Sequence, residues 1–426
     1  MAIDRRTLFL GAGLAGIAGP SLFAAAGAQA PAPATPPSGR TERIAAAARE
    51  HQLLLTHADG QFAGPGWERL VERGRAAHFF MIGEEHGIAE NPKFAAALFR
   101  SLAPSGYARL AIEISDPMAR AVDRAVTAGG LEGIQRLYAD PASRVAFFGL
   151  REEAELLAAV RDALPGRAPF LWGLDYEVGA DRHLIATLKA MRKPAAAQAA
   201  VAALERASQA SWERYEATRN PQFIYSFAGD PALVRAVRAA WPRAGEEARL
   251  ILGTLEETFE INRLFVSGQG WESNERRGRL MRGSFLRLWR AERQKPRVML
   301  KFGAGHMTRG ISPTGTWDIG TLVPEVAAMD DVGTFSLLVL ADPASETSNL
   351  DPTTFRYVPG RREQYQAGLE VFTGQPLAGG FALFDTRPLR RLARTGDRSL
   401  HPELVRAIHG FDAVLVMTGS TPAANL

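Results

Sequence analysis

The apolar positions of this chain fall into short runs separated by glycine or polar residues, and the clearest early run is 79–82, Phe-Phe-Met-Ile. Its length suits a buried strand. Gly83 ends it, and four polar positions follow: Glu84, Glu85, His86 and Glu90. Asn91-Pro92 reads as an N-cap with proline at the first helical position, and Phe94, Leu98 and Leu102 recur at helical spacing. A second apolar run, 110–114, holds one carboxylate, Glu113. Strand, helix and strand in under forty residues make a βαβ unit, whose two strands run parallel. Both strand ends then open on one edge of the sheet. Glu84, His86 and Glu113 are therefore expected to converge, although nearly thirty residues separate them.

The same patterning predicts helices over 41–56 and 67–75 ahead of that unit, and over 117–128, 131–139 and 152–164 after it. Leu156, Leu157 and Val160 form the buried side of the last. A third strand, 169–174, ends in Asp175-Tyr176-Glu177, and a helix follows over 181–191. From about 194 to 294 no strand pattern occurs. Four helices are predicted there, over 195–219, 231–239, 244–266 and 272–293. The last is basic, with Arg276, Arg277, Arg279, Arg282, Arg287, Arg290 and Arg293 around a stripe of Met281, Phe285 and Leu288, with Trp289 alongside. Such a face is either solvated or sends one or two arginines to an anionic group. A fourth strand, 298–302, ends in Gly303-Ala304-Gly305-His306, with Arg309 just beyond. Strands over 335–340 and 381–384, a helix over 402–409 and a run at 413–417 complete the pattern, while 341–378 is turn-rich and predicts no element. The predicted fold class is α/β: a central, mostly parallel sheet flanked by helices, with an inserted helical subdomain.

Composition changes this picture little. Of 426 residues, 23% are charged and 46% hydrophobic, as in globular domains. The formal charge of +4 is too small to argue for nucleic acid. With no cysteine, there is no disulfide, thiolate metal site, catalytic thiol or lipid-anchoring cysteine. The start of the chain adds more. Arg5-Arg6 precede a short apolar stretch, 8–18, and small residues reach Ala26-Gly27-Ala28. This resembles a twin-arginine signal peptide over 1–30. A Pro- and Ala-rich disordered linker over 31–40 and one domain over 41–426 follow. The expectation is a periplasmic or secreted protein that meets the twin-arginine export machinery and has no membrane anchor in its mature form.

Four strand ends carry ionisable groups: Glu84, Glu85 and His86; Glu113; Asp175 and Glu177; His306 and Arg309. Such a set can do two jobs. A neutral imidazole can take a proton from water while a carboxylate orients it and a histidine or arginine stabilises the oxyanion. Alternatively, His86, Glu113 and His306 can ligate zinc, manganese or iron, which then activates the water. Glu113 is the strongest signal, because a carboxylate in an apolar strand must be partnered or neutralised. Its plain alternative is a buried salt bridge to Arg109 or Arg120. Of Glu84 and Glu85, one is expected in the cleft and the other at the cap of the next helix; Asp175 too can be read as a cap. His183, His401 and His409 read as structural. No P-loop, dinucleotide fingerprint, nucleophile elbow or His-Glu-x-x-His motif is present.

Gly83-Glu84-Glu85-His86-Gly87 with Glu90, followed by Ala111-Ile112-Glu113, resembles the opening motifs of the erythromycin esterase-like superfamily. The resemblance continues through Glu152, Leu156, Leu157 and Arg161, then Gly173-Leu174-Asp175, Arg277 with Met281, and Gly303 to His306 with Arg309-Gly310. It spans about 78–310 in motif order. The Gly-Glu-x-His spacing is similar to that of the related haem-binding ChaN-like proteins and TraB/TIKI-type metalloproteases, and Gly278 stands where aspartate is frequent. The resemblance implies an α/β core with a helical insertion and hydrolysis of a small-molecule ester or related acyl bond. It implies that His86 activates water with help from Glu84, Glu113 and His306. Substrate-facing positions would be Glu85, Glu90, Asp175, Arg277 and Arg309. No cofactor is required in this reading; a divalent metal or haem belongs to the alternatives.

Overall fold

The computed structural model describes residues 39–58, 60–166, 168–361, 367–375 and 380–426. The expected signal peptide and residues 31–38 of the expected linker lie outside them, while Gly39 and Arg40 already belong to a helix, Gly39–Glu50. Apolar runs become strands as expected: β3 (Phe79–Glu84), β4 (Tyr107–Ser115), β5 (Leu171–Asp175), β6 (Arg297–Gly303), β7 (Thr334–Ala341), β10 (Phe381–Asp385) and β11 (Ala413–Met417). Two strands precede them, β1 (Gln52–Ala58) and β2 (Gln61–Ala63), and two lie between β7 and β10, β8 (Glu346–Asp351) and β9 (Arg356–Arg361).

Nine strands form one sheet in the order β2-β1-β10-β11-β7-β3-β6-β4-β5. From β11 to β5 all neighbours are parallel, while β10, β1 and β2 add an antiparallel edge. This is an α/β fold with a mostly parallel sheet. β3 lies between β6 and β7, so the connection order changes direction at its end, where open α/β sheets form their crevice.

Both faces of the sheet are buried, as side-chain alternation requires. Phe80, Ile82, Leu110, Ile112 and Met299 pack on one face with the helices Glu90–Leu102, Asp116–Ala139 and Arg151–Ala163. Phe79, Met81, Ala111, Val298 and Leu300 pack on the other with Gly270–Ala291 and Ile319–Met329. The helices predicted over 194–294 divide between the layers: Ala195–Thr218, Pro231–Ala240 and Glu246–Val266 join the first face, and Gly270–Ala291 joins the second. Among the described residues no helix is long and apolar enough to cross a membrane.

Three local expectations are corrected. The helix predicted over 41–56 ends at Glu50, and Gln52–Ala58 is a strand because Leu53 and Leu55 pair antiparallel with Leu383 and Phe381. Asn91 is not a cap: the helix begins at Glu90, and the Asn91 side chain reaches back to donate to the Glu85 carbonyl. The turn-rich stretch 341–378 contains the β8–β9 hairpin and a short helix, Glu370–Thr373. By contrast, the two helices predicted over 117–139 are continuous except at Gly129 and Gly130, where Gly130 takes φ 56° and breaks the helical path.

Candidate functional site

β3 and β6 are in register, so Glu84 lies opposite Gly303 and Ile82 beside Lys301. Along β6, Met299 and Lys301 share one face, and Val298, Leu300 and Phe302 share the other. Lys301 therefore points to the same layer as the helix Arg151–Ala163. Glu113 stands between Ile112 and Ile114 and points to the opposite layer, toward the helix Gly270–Ala291. After β3 the chain turns at Gly87, which has φ 81° and no room for a side chain, since a Cβ would lie 2.0 Å from the Ser348 carbonyl oxygen. That turn leaves His86 at the rim of the sheet, between the two layers.

A continuous line of opposite charges results. On one side, the Lys301 ammonium donates to Glu153 Oε1 and Glu84 Oε1, each at 2.6 Å. His86 Nδ1 is 3.1 Å from the same Glu84 oxygen, and its Nε2 is 3.2 Å from Glu113 Oε2. Glu113 accepts from the Gly303 amide at 2.7 Å and from Arg277 Nη2 at 2.6 Å, and its Oε1 lies 3.5 Å from His306 Nε2. Arg277 also grips Asp175 through Nε and Nη2, and His306 Nδ1 is 2.7 Å from Asp318 Oδ2. The line thus runs Glu153–Lys301–Glu84–His86–Glu113–His306–Asp318, with Arg277 and Asp175 as a branch. The arginine that pairs with Glu113 is Arg277 and neither of the two expected ones: Arg109 pairs with Glu292 and Arg120 with Asp116.

The electrostatics follow from this alternation. Burial disfavours the charged form of His86, but Glu113 and Glu84, each hydrogen-bonded to one ring nitrogen, overcome it and raise its pKa to about 9. Burial likewise opposes charge on His306, and Arg277 adds to that, yet Asp318 and Glu113 raise its pKa to about 10. Burial pushes Glu113 up, but His306 and His86 hold it well below the ordinary carboxylate range. Both imidazoles are therefore cations at neutral pH. Burial also raises Glu153, to about 7, because Lys301 only partly offsets desolvation and the nearby Glu84 opposes its charge.

Two consecutive phenylalanines cover the cations. The Phe147 ring stacks on His86 with centroids 4.5 Å apart, and Phe148 lies 4.9 Å from the Lys301 ammonium. Phe147 has φ 61°, an unfavourable conformation for a side chain of this size, and its amide donates to the Tyr357 hydroxyl of β9. The hairpin and the segment after β11 form a roof over this loop. Ser348 N donates to the Gly87 carbonyl, Thr347 Oγ1 to the His86 carbonyl, and Ala423 N to Gly87 again.

Not every expected residue joins the line. Glu90 accepts from the amide and hydroxyl of Thr421, so it anchors the roof. Arg309 is paired with Asp412 at 2.7 Å and bonded to the Gly410 carbonyl, beside β11. Glu85 is buried next to the line, with its carbonyl held by Asn91. Neither Glu84 nor Glu85 caps the following helix, and Asp175 is an ion-pair partner. On the basic helix, Arg276 pairs with Glu257 and Arg282 with Glu275, leaving Arg277 as the arginine that enters the site. His183 bonds Ser143, His401 caps the helix Pro402–Gly410, and His409 bonds the Ala393 carbonyl. Lys301, Glu153 and Asp318 had no place in the sequence reading. Lys301 carried the same signal as Glu113, a charge inside an apolar strand.

The donor set suits a divalent cation poorly. Arg277 and the Gly303 amide already occupy Glu113, the carboxylate that lies between the two imidazoles. Among the described residues no group of three or more His, Asp or Glu side chains is disposed to hold a metal.

No protein-family model and no curated protein matches the chain. Solved structures do match. An erythromycin esterase, EreC, in its open conformation has a TM-score of 0.58 at 16% identity, over 88% of this chain and 98% of that one. A Bacillus cereus protein gives 0.57 at 13% identity, over 91% and 99%. A succinoglycan biosynthesis protein gives 0.56 at 12% identity, over 91% and 99%. Likeness at these identities speaks for architecture, and on that ground this chain has the erythromycin esterase-like fold.

Proposed function

We propose that the protein is a hydrolase that attacks an ester or related acyl bond of a small molecule with water activated by His86. The observation that carries this reading is Glu113, a single buried carboxylate in reach of His86, His306, Arg277 and a backbone amide. It gathers one group able to move a proton and two cations able to face an oxyanion. Arg277 and His306 are the more exposed members, with 16% and 18% of their side chains accessible, so a substrate carbonyl meets them first. Fixed cations in a poorly hydrated site stabilise the charge that develops on a tetrahedral oxygen. Asp175 and Asp318 hold those cations in orientation. Neutral His86 then accepts a proton from water, and Glu84 steadies the imidazolium that forms. Glu90 and Arg309 serve the framework in this reading.

The test is a panel of aryl, alkyl and lactone esters assayed with the wild type and His86→Ala. A substrate of the wild type should be turned over about a hundredfold more slowly, or worse, by the variant. Equal rates would remove His86 from the chemistry.

We also infer export by the twin-arginine route, on the strength of Arg5-Arg6 and the small-residue stretch behind them. Residues 1–38 fused to a folded reporter should carry it out of the cytoplasm. Replacing both arginines by lysine should retain it inside.

A further inference from the structure

Counting the buried line as fully ionised gives four cations, Lys301, His86, His306 and Arg277, against five carboxylates, Glu153, Glu84, Glu113, Asp175 and Asp318. One negative charge is in excess. Glu153 and Glu84 each keep one buried oxygen without a hydrogen-bond partner, so the excess sits at the interior end. Glu113, Asp175 and Asp318 each meet Arg277 or His306, which solvent can reach, and Glu84 meets His86 as well as Lys301. Glu153 meets only Lys301, which is completely buried.

We propose that Glu153, acting through Lys301 and Glu84, is a positioning residue that sets how firmly His86 holds its proton. Its charge occupies one side of the ammonium. When Glu153 is ionised, Lys301 is shared between two carboxylates, and Glu84 keeps more of its negative field for His86. When Glu153 is neutral, Lys301 serves Glu84 alone, and His86 loses part of what retains its proton. The groups facing Glu153 are Lys301 from β6, Glu84 from β3, His86 from the loop after it, Tyr138 from the helix Asp116–Ala139 and Tyr357 from β9. Both phenols are pushed up by burial and stay neutral, so they add no charge to this balance. Glu153 itself changes charge near pH 7, inside the working range of a base raised to about 9.

The inference rests on His86 as the base, and it is tested without turnover by following the His86 ring resonances against pH by NMR. Glu153→Gln keeps the shape and lets the amide oxygen accept from Lys301 while removing the charge. The His86 midpoint should fall below that of the wild type by on the order of half a pH unit or more. The ascending limb of kcat/KM should move to lower pH by the same amount. An unchanged midpoint would overturn the proposal even if the enzyme hydrolyses esters. A shifted midpoint in a protein that hydrolyses none would leave it standing and reject the hydrolase reading. Should the variant not fold, the wild type alone decides: its His86 resonances should show a minor inflection near pH 7 before the main one. A single smooth transition would count against the proposal.

Discussion

The two ends of the charged line lie on opposite faces of the sheet and contain the same kinds of residue, yet they differ in access. Lys301, Glu84 and Glu153 have at most 4% of their side chains exposed, while Arg277 and His306 have 16% and 18%. A cation–carboxylate pair at the open end can exchange a partner for a substrate. The same pair at the closed end can only hold or release a proton. His86 sits where they meet, with one ring nitrogen toward each. Identical chemistry is thus divided by the sheet edge into a part that binds and a part that biases, and four experiments can break or sharpen that division.

The largest effect is expected at the closed end. Lys301→Met leaves two buried carboxylates without their cation, which should lower the unfolding free energy by about 3–5 kcal/mol in denaturant titrations. A midpoint equal to the wild type would mean that this end is not an ion pair. The next effect is in pH. His86 is held near 9, and its basic form grows as pH rises toward that value, so kcat/KM should climb about tenfold per unit well below it, and roughly fiftyfold in all from pH 7 to 9. A flat profile over that interval would assign the limiting step to another group. At the open end, Arg277→Lys keeps the charge but loses the fork that grips Glu113 and Asp175 together. It should cost about tenfold in kcat/KM and far less stability than Lys301→Met. A stability loss as large as that of Lys301→Met would erase the distinction between the ends. The smallest effect is Tyr357→Phe, which removes the acceptor of the Phe147 amide and should cost about 1 kcal/mol with the His86 titration unmoved.

The parallel strands and the meeting of Glu84, His86 and Glu113 could be read from apolar runs ending in polar residues, because strand direction in a βαβ unit is fixed by its connection. What could not be read was pairing. Arg277 reaches Glu113 across 164 residues, and nothing in a helix with six arginines marks the one that turns inward. Asp318 was invisible for the same reason, since it meets His306 only because the chain doubles back after Met307. The pattern reads β1 as helix because its leucines are consecutive and their partners, on β10, lie over 300 residues away. The β8–β9 hairpin escaped because its residues, Glu346–Asp351 in particular, are mostly polar; it covers a loop instead of filling a core. Lys301 is different, because it could have been found. The argument applied to Glu113 held equally for a lysine in an apolar run.

The cover over His86 also sets an order of events during synthesis. All nine charged members of the line have been made by Asp318, but the strands and tail that clasp Gly87, from Thr347 to Ala423, are made last. A nascent chain therefore carries every ionisable group of the pocket for about thirty residues before the hairpin reaches the loop, and for about a hundred before Ala423 does.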